Sequence, residues 1–157
     1  MIGKTILKFD QLNSTNDYIK KNIVDLDDGT IVVAKQQTKG KGRHGNVWYS
    51  PEGNLYFSIL VKKNVSRENL FLWTMRSSLA IVEILEKQGL NAKIKYPNDI
   101  LINNKKISGI LIESIGYEEL DAVIIGIGLN VNVEDLNSLG WKATSMVLET
   151  NECYNID

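Results

Sequence analysis

Between residues 37 and 48 the chain runs Gln37-Thr38-Lys39-Gly40-Lys41-Gly42-Arg43-His44-Gly45-Asn46-Val47-Trp48. Glycines at 40, 42 and 45 let backbone N–H groups converge on an anion, and Lys39, Lys41 and Arg43 place positive charge at alternate positions. A phosphate ester suits such a loop, with arginine offering a planar fork to its oxygens. The segment is not the GxxxxGK[ST] phosphate loop, and without a helix clearly following it, it is not the dinucleotide fingerprint either. The same composition also fits a solvated, flexible loop. Trp48 could stack on a base or cover a ligand, or it could pack at the edge of the core. His44 is the only histidine, and no cysteine or acidic residue stands near it at metal-ligand spacing. A zinc site is therefore not expected, and no residue is assigned to a metal.

A second group of residues follows downstream. In Lys95-Tyr96-Pro97-Asn98-Asp99 the proline, asparagine and aspartate make a well-formed turn, from which Lys95 and Asp99 could project into a site. Lys106 lies eleven residues past Lys95 and three before Gly109, and a strand glycine often marks close approach of a ligand. Lys105 and Lys106 must point to opposite faces of a strand; an inward one could hold an anion as a compact charge. The run IIGIGLNVN over 124–132 repeats the device, with Gly126 and Gly128 in an apolar strand followed by Asn130 and Asn132. It fits either a bulged core strand or the small-residue wall of a site.

The elements that must position these residues come from pattern. Ser14-Thr15-Asn16-Asp17 starts a helix running to about Asn22. Strands are predicted over 5–9, 30–34, 54–61, 93–96, 100–102, 107–114 and 120–133, the last broken by its two glycines. A main helix spans 67–88, with Leu70, Phe71, Met75, Leu79, Val82 and Leu85 at helical spacing and Gly89 as its stop. Residues 38–53 form a long loop. Strands joined by short turns beside few helices give an α+β class with a mainly antiparallel sheet. The chain has 157 residues, 43% apolar and 24% charged, with 18 basic and 19 acidic side chains, a length and make-up typical of one globular domain. That balance argues against nucleic-acid binding. No apolar run reaches a membrane span, Lys4, Lys8 and Asp10 interrupt any leader-like N-terminus, and one cysteine cannot form an internal disulfide. A cytoplasmic setting is expected.

Order and spacing decide between the open readings. The succession Ser14-Thr15-Asn16, Gln37-Thr38-x-Gly40-Lys41-Gly42-Arg43-x-Gly45-x-x-Trp48, Asn54-Leu55-Tyr56-x-Ser58, Lys95-Tyr96-Pro97-Asn98-Asp99, Lys106-Ile107-x-Gly109-Ile110-Leu111-x-Glu113 and Gly126-x-Gly128-x-Asn130-Val131 resembles the catalytic domain of biotin–protein ligases, from about residue 8 to about 148. The resemblance implies a mixed fold related to class II aminoacyl-tRNA synthetase catalytic domains, with helices flanking the sheet. It implies ATP and biotin as substrates, with Mg²⁺ assisting, and a biotin-acceptor domain of a biotin-dependent carboxylase or decarboxylase as partner. DNA and membrane partners are not expected, and the oligomeric state stays open between monomer and homodimer. By residue match, Ser14, Thr15 and Gln37 would bind or flank the ureido end of biotin, with Asn16 counted beside them. Gly40, Lys41, Gly42 and Arg43 would fold over biotin and the adenylate phosphate. Lys106 would contact the carboxylate and phosphoryl oxygens, and Gly109 and Leu111 would line the biotin slot with Gly126. Asp99 would lie near the incoming lysine amine, Asn130 near the nucleotide or metal, and Trp48 against the adenylate. Lys106, Arg43 and Asp99 are the expected catalytic set.

Two residues depart from the family pattern: Lys41 stands for the usual arginine of GRGR, and Tyr96 for the tryptophan of KWPND. Residues 1–157 are expected to be the catalytic domain alone, without a winged helix before it or the small barrel that follows Thr144-Ser145-Met146 in similar enzymes. A lipoyl- or octanoyl-protein ligase of the same superfamily, and a non-catalytic biotin or biotinyl-AMP binding module, are the competing readings.

Overall fold

A computed structural model describes residues 1–136 and 142–156. Seven strands make one sheet: β1 (Ile6–Leu12), β2 (Ile31–Gln37), β3 (Leu55–Val61), β4 (Lys93–Lys95), β5 (Asp99–Ile102), β6 (Lys105–Ile115) and β7 (Ala122–Leu129). Their spatial order is β1-β2-β3-β7-β6-β5-β4. Only β1 and β2 run parallel, as a helical crossover between them requires; the other five pairings are antiparallel. The expected α+β class with a mainly antiparallel sheet therefore holds.

Helix α1 (Thr15–Asn22) covers one face and α2 (Leu70–Lys87) the other. The alternation of β7 shows why that strand is apolar throughout. Val123, Ile125, Ile127 and Leu129 join Ile81 and Leu85 of α2 in the larger core, while Ala122 and Ile124 join Ile19 of α1 in the smaller one. A strand covered on both faces loses its polar alternation. Gly126 and Gly128 continue the α1 side beyond the helix, and neither breaks the strand. Both stay in register with β3 and β6, which corrects the expected interruption.

Helix α2 buries Thr74, Ser78, Ile81 and Leu85. Phe71 and Leu79, both expected on the inner face, are exposed. Two of the inward positions carry small hydroxyl residues, so apolar spacing alone selects the neighbouring stripe. Between β5 and β6, Asn103 and Asn104 both adopt positive φ, as a two-residue primed hairpin turn requires. The loop from 38 to 53 contains more order than expected: a Lys41–Val47 bridge and one 3₁₀ turn at Arg43–Gly45. A short helix, α3 (Met146–Thr150), capped by Ser145, has no counterpart in the sequence reading. Among the described residues no helix is long and apolar enough to cross a membrane.

Candidate functional site

On the α1 side of the sheet, beyond the end of that helix, paired residues across four strands form two rows. Ser58, Gly126 and Leu111 make one, and Tyr56, Gly128, Gly109 and Asp99 the other. Directly paired residues share a face, so the glycines leave a flat floor between them. Lys106 joins this face through a bulge. Ile100 pairs with Ser108 but Leu101 pairs with Lys106, leaving Ile107 as an extra residue. Without it Lys106 and Gly109, three apart, would face opposite ways. With it, a Cβ on Gly109 would stand 3.1 Å from Lys106 Cε. Lys105 is exposed, so the expected division between the two lysines holds.

The start of α1 makes the wall. Ser14 caps the helix, accepting from Asp17 N–H at 3.4 Å, and it lines the slot with Thr15 and Asn16. The backbone N–H of Thr15 donates to Gln37 Oε1 at 2.9 Å, and Gln37 Nε2 donates to Ser50 Oγ at 3.0 Å. Asn16 Nδ2 donates to Glu113 Oε2 at 2.6 Å. Gly126 is glycine because a Cβ there would fall on the Asn16 amide. Asn54 pins the chain after β7, its Oδ1 accepting from Val131 N–H at 2.6 Å, and its amide donates to Tyr56 Oη. Burial pushes the Tyr56 phenol up from its ordinary value, so it stays a donor to the Pro51 carbonyl.

The glycine-basic loop makes the roof. Lys41 Nζ pairs with Asp17 at 2.7 Å, and Arg43 Nη1 donates to Asn98 Oδ1 at 3.1 Å. These two cations therefore have partners on other elements of the fold. The Gly42 N–H donates to Asn46 O at 2.7 Å inside the loop, so it does not point at a shared anion here. Gly40 has a different reason to be glycine: a Cβ would collide with the Trp48 carbonyl and Ser50 Oγ at the loop's neck. Trp48 lies across the floor, its indole against the missing Cβ positions of Gly109 and Gly128. Lys106 Nζ sits 5.1 Å from the centre of that ring, within cation–π range. Trp48 Nε1 is buried with no hydrogen-bond partner among the described residues.

Lys106 Nζ also pairs with Asp99 Oδ1 at 2.7 Å. The slot's free volume is about 50 Å³, far below the roughly 300–1,000 Å³ of small-molecule sites. Trp48 and Lys106 separate it from a wider cavity of about 470 Å³, whose lining includes Tyr49, Asn130, Lys142 and Ala143. Of the predicted site residues, Ser14, Thr15, Asn16, Gln37, Lys41, Gly42, Arg43, Trp48, Lys106, Gly109, Leu111 and Gly126 line the slot together. Gly40 borders an outer cavity under the loop, and Asp99 reaches the site through Lys106. Asn130 lines the wider cavity, where its amide donates to the Thr144 carbonyl at 3.0 Å. Asn98, predicted only as a turn residue, lines the slot; its position beside Asp99 in KYPND was the available signal. Ser50 carried no signal, because its role depends on a contact across the loop.

The model of the biotin/lipoate A/B protein ligase family matches residues 8–130. Over 139 residues the chain is 39% identical to the bifunctional ligase/repressor BirA of Bacillus subtilis (strain 168), covering 84% of this chain and 42% of that protein. The biotin protein ligase from Aquifex aeolicus in complex with biotin and ATP superposes with a TM-score of 0.76 at 34% identity, over 97% of this chain and 63% of that one. For the biotin protein ligase from Leishmania major in complex with biotinyl-5-AMP the TM-score is 0.75 at 30% identity, over 94% of this chain and 65% of that one. The chain thus spans less than two thirds of each of these relatives. The likeness bears out the expected fold, that of biotin/lipoate ligase catalytic domains.

Proposed function

The chain belongs to the biotin/lipoate A/B protein ligase family, and on that premise we propose that it forms biotinyl-5′-AMP from biotin and ATP and passes the biotinyl group to a lysine of an acceptor domain. The observation that carries this reading is the division of the site. One end is an amide-and-hydroxyl wall of buried Thr15 and Asn16 with half-buried Gln37. The other holds Lys106, Asp99 and Arg43, beside a second cavity. A neutral polar ring would seat at the first end and a carboxylate at the second, with the nucleotide across Trp48.

A carboxylate oxygen then bonds to the α-phosphorus, and the bond to pyrophosphate breaks. Lys106 would exchange Asp99 for the carboxylate and follow its charge onto the phosphoryl oxygens, stabilisation that grows toward the transition state. Arg43 would leave Asn98 to hold the phosphoryl group by charge-assisted hydrogen bonds. In the second step a neutral lysine amine bonds to the acyl carbon, the acyl–oxygen bond breaks so that AMP leaves with its electron pair, and the amine's proton passes to solvent, with Asp99 beside the incoming amine. Among the described residues no group of three or more His, Cys, Asp or Glu side chains could cage a metal. Magnesium would be carried on the nucleotide's phosphates.

The acceptor proposed is the biotin-carrier domain of a carboxylase or decarboxylase, met in the cytoplasm. Residues 1–157 would be the catalytic domain. Mass spectrometry of such a carrier domain after incubation with this protein, ATP, Mg²⁺ and biotin tests the reading. Added biotinyl mass on one lysine is the expected result. Transfer of octanoate instead would reassign the chain within its family, and tight biotin binding without transfer would make it a binding module.

A further inference from the structure

Behind the slot wall runs a chain of hydrogen bonds, buried at Ser58 and part-buried at Glu113, whose direction is fixed from outside the slot. Ser58 is fully buried. Its Oγ stands 2.5 Å from Asn16 Oδ1 and 2.7 Å from Thr15 Oγ1, with one proton for the two contacts. An amide oxygen only accepts, so the Ser58 proton belongs to Asn16. Glu113 holds the Asn16 amide that way round: its Oε2 accepts from Nδ2 at 2.6 Å, and a reversed amide would set two oxygens against each other. The second carboxylate oxygen of Glu113 accepts from Lys20 Nζ at 2.5 Å. Thr15 must then donate to Ser58 Oγ. The longer 3.3 Å approach of Thr15 Oγ1 to Gln37 Oε1 then carries no proton, since Thr15 has a single hydroxyl proton and the 2.7 Å contact to Ser58 Oγ takes it. The protons therefore run one way, from Thr15 through Ser58 and Asn16 to Glu113. The lone pairs of Thr15 Oγ1 are left for whatever occupies the slot it lines.

We infer that Glu113, which does not itself line the slot, is a positioning residue that sets this proton order and so makes the Thr15 end a hydrogen-bond acceptor, selecting a ligand ring that carries N–H donors. The inference rests on the reading of the slot as a biotin site, and it assigns one ureido N–H to Thr15. A dithiolane ring, which has no N–H, gains nothing from this order. With the order broken, Thr15 is free to turn its own proton toward the slot and meet the ureido N–H donor to donor.

Calorimetric titration of the folded protein with biotin tests this. Glu113→Leu removes the terminal acceptor and Ser58→Ala cuts the chain in its middle. Each should weaken biotin binding by about tenfold to a hundredfold, the scale of one mispaired buried hydrogen bond. Because both break one chain, the double variant should be no weaker than the worse single variant within about threefold. Glu113→Gln keeps an oxygen for the Asn16 amide and should stay within about fivefold of the unaltered protein. Additive losses, equal damage by Gln and Leu at position 113, or unaltered affinity in both single variants would each overturn the inference. An unaltered protein that does not bind biotin removes the site reading first, and this proton order's ligand with it.

Discussion

The wall and the roof of the site are both polar, but the wall is neutral and buried, the roof cationic and exposed, and the two are held in opposite ways. Thr15, Asn16 and Ser58 are almost wholly buried, and each is tied to partners more than 20 residues away in the chain. A buried polar group left without a partner costs about 1–3 kcal/mol, so these residues have one arrangement, fixed before any ligand arrives. Lys41 and Arg43 of the roof are tied through exposed contacts to Asp17 and Asn98. Exposed pairs contribute about 0–1 kcal/mol and can be exchanged for a stronger partner. The wall is built to recognise and the roof to let go. Between them lies Lys106, partly exposed and shared between Asp99 and the Trp48 ring.

The largest effect should come where wall and roof meet. Lys106→Ala should cut pyrophosphate release by about two to three powers of ten, as loss of one oxyanion donor does. Lys105→Ala should change it little, as exposed substitutions do. Equal effects of the two would show that the Ile107 bulge does not aim Lys106 at the floor. Next comes the wall. Gly126→Ala places a methyl group on the Asn16 amide, where neither β7, paired on both sides, nor the buried amide can yield cheaply. Biotin affinity should fall by roughly a hundredfold, with stability lowered by about 1–3 kcal/mol. Titration and thermal melting measure both; unaltered affinity would mean that the wall is not preset.

The roof should fail differently. Arg43→Gly removes the charged fork while leaving the wall intact. Release of biotinyl-AMP should quicken by about tenfold or more, the scale of one charge-assisted hydrogen bond. Its synthesis should suffer less, because Lys106 remains. Rapid-quench synthesis and filter-retained adenylate separate the two rates. A variant that retains adenylate as long as the unaltered protein would detach Arg43 from the phosphate.

The same contrast explains how much was legible in the sequence. Most slot residues were named from motif order, because the wall and floor lie on regular elements whose alternation and caps have sequence signatures. A cap at Ser14 or Thr15 and one inward lysine of the pair 105 and 106 follow from local rules; choosing Lys106 took the family pattern. What was illegible depends on tertiary contact. The Ile107 bulge shifts register without an unusual residue to mark it. Gly126 and Gly128 looked like ligand clearance, yet the missing Cβ atoms make room for the protein's own Asn16 and Trp48. Asn130 stands in the motif beside slot residues, but it lies one residue past the end of β7 and lines the next cavity. The partners of Lys41 and Arg43 lie 24 and 55 residues away, beyond the reach of local pattern.

The smallest expected effect concerns the roof's tie to α1. Asp17 does not line the slot, so altering it changes the roof without touching the ligand. Its carboxylate meets Lys41 Nζ at 2.7 Å, with the lysine side chain 45% exposed. A pair so placed is screened by salt, whose Debye length is about 10 Å at 0.1 M. Asp17→Asn should therefore speed ligand release by no more than about fivefold, the upper end for an exposed pair. The size matters less than its dependence on ionic strength. In the unaltered protein, release should quicken as salt rises and loosens the pair. In Asp17→Asn the pair is already gone, so that part of the salt response should vanish and the two rates should converge at high salt. Stopped-flow dissociation of biotin alone, which avoids the phosphate's own salt effect, gives the comparison cleanly. Parallel salt slopes in the two proteins would show that the Lys41–Asp17 contact is no tie, and that the roof is held by Arg43 and the neck at Gly40 instead.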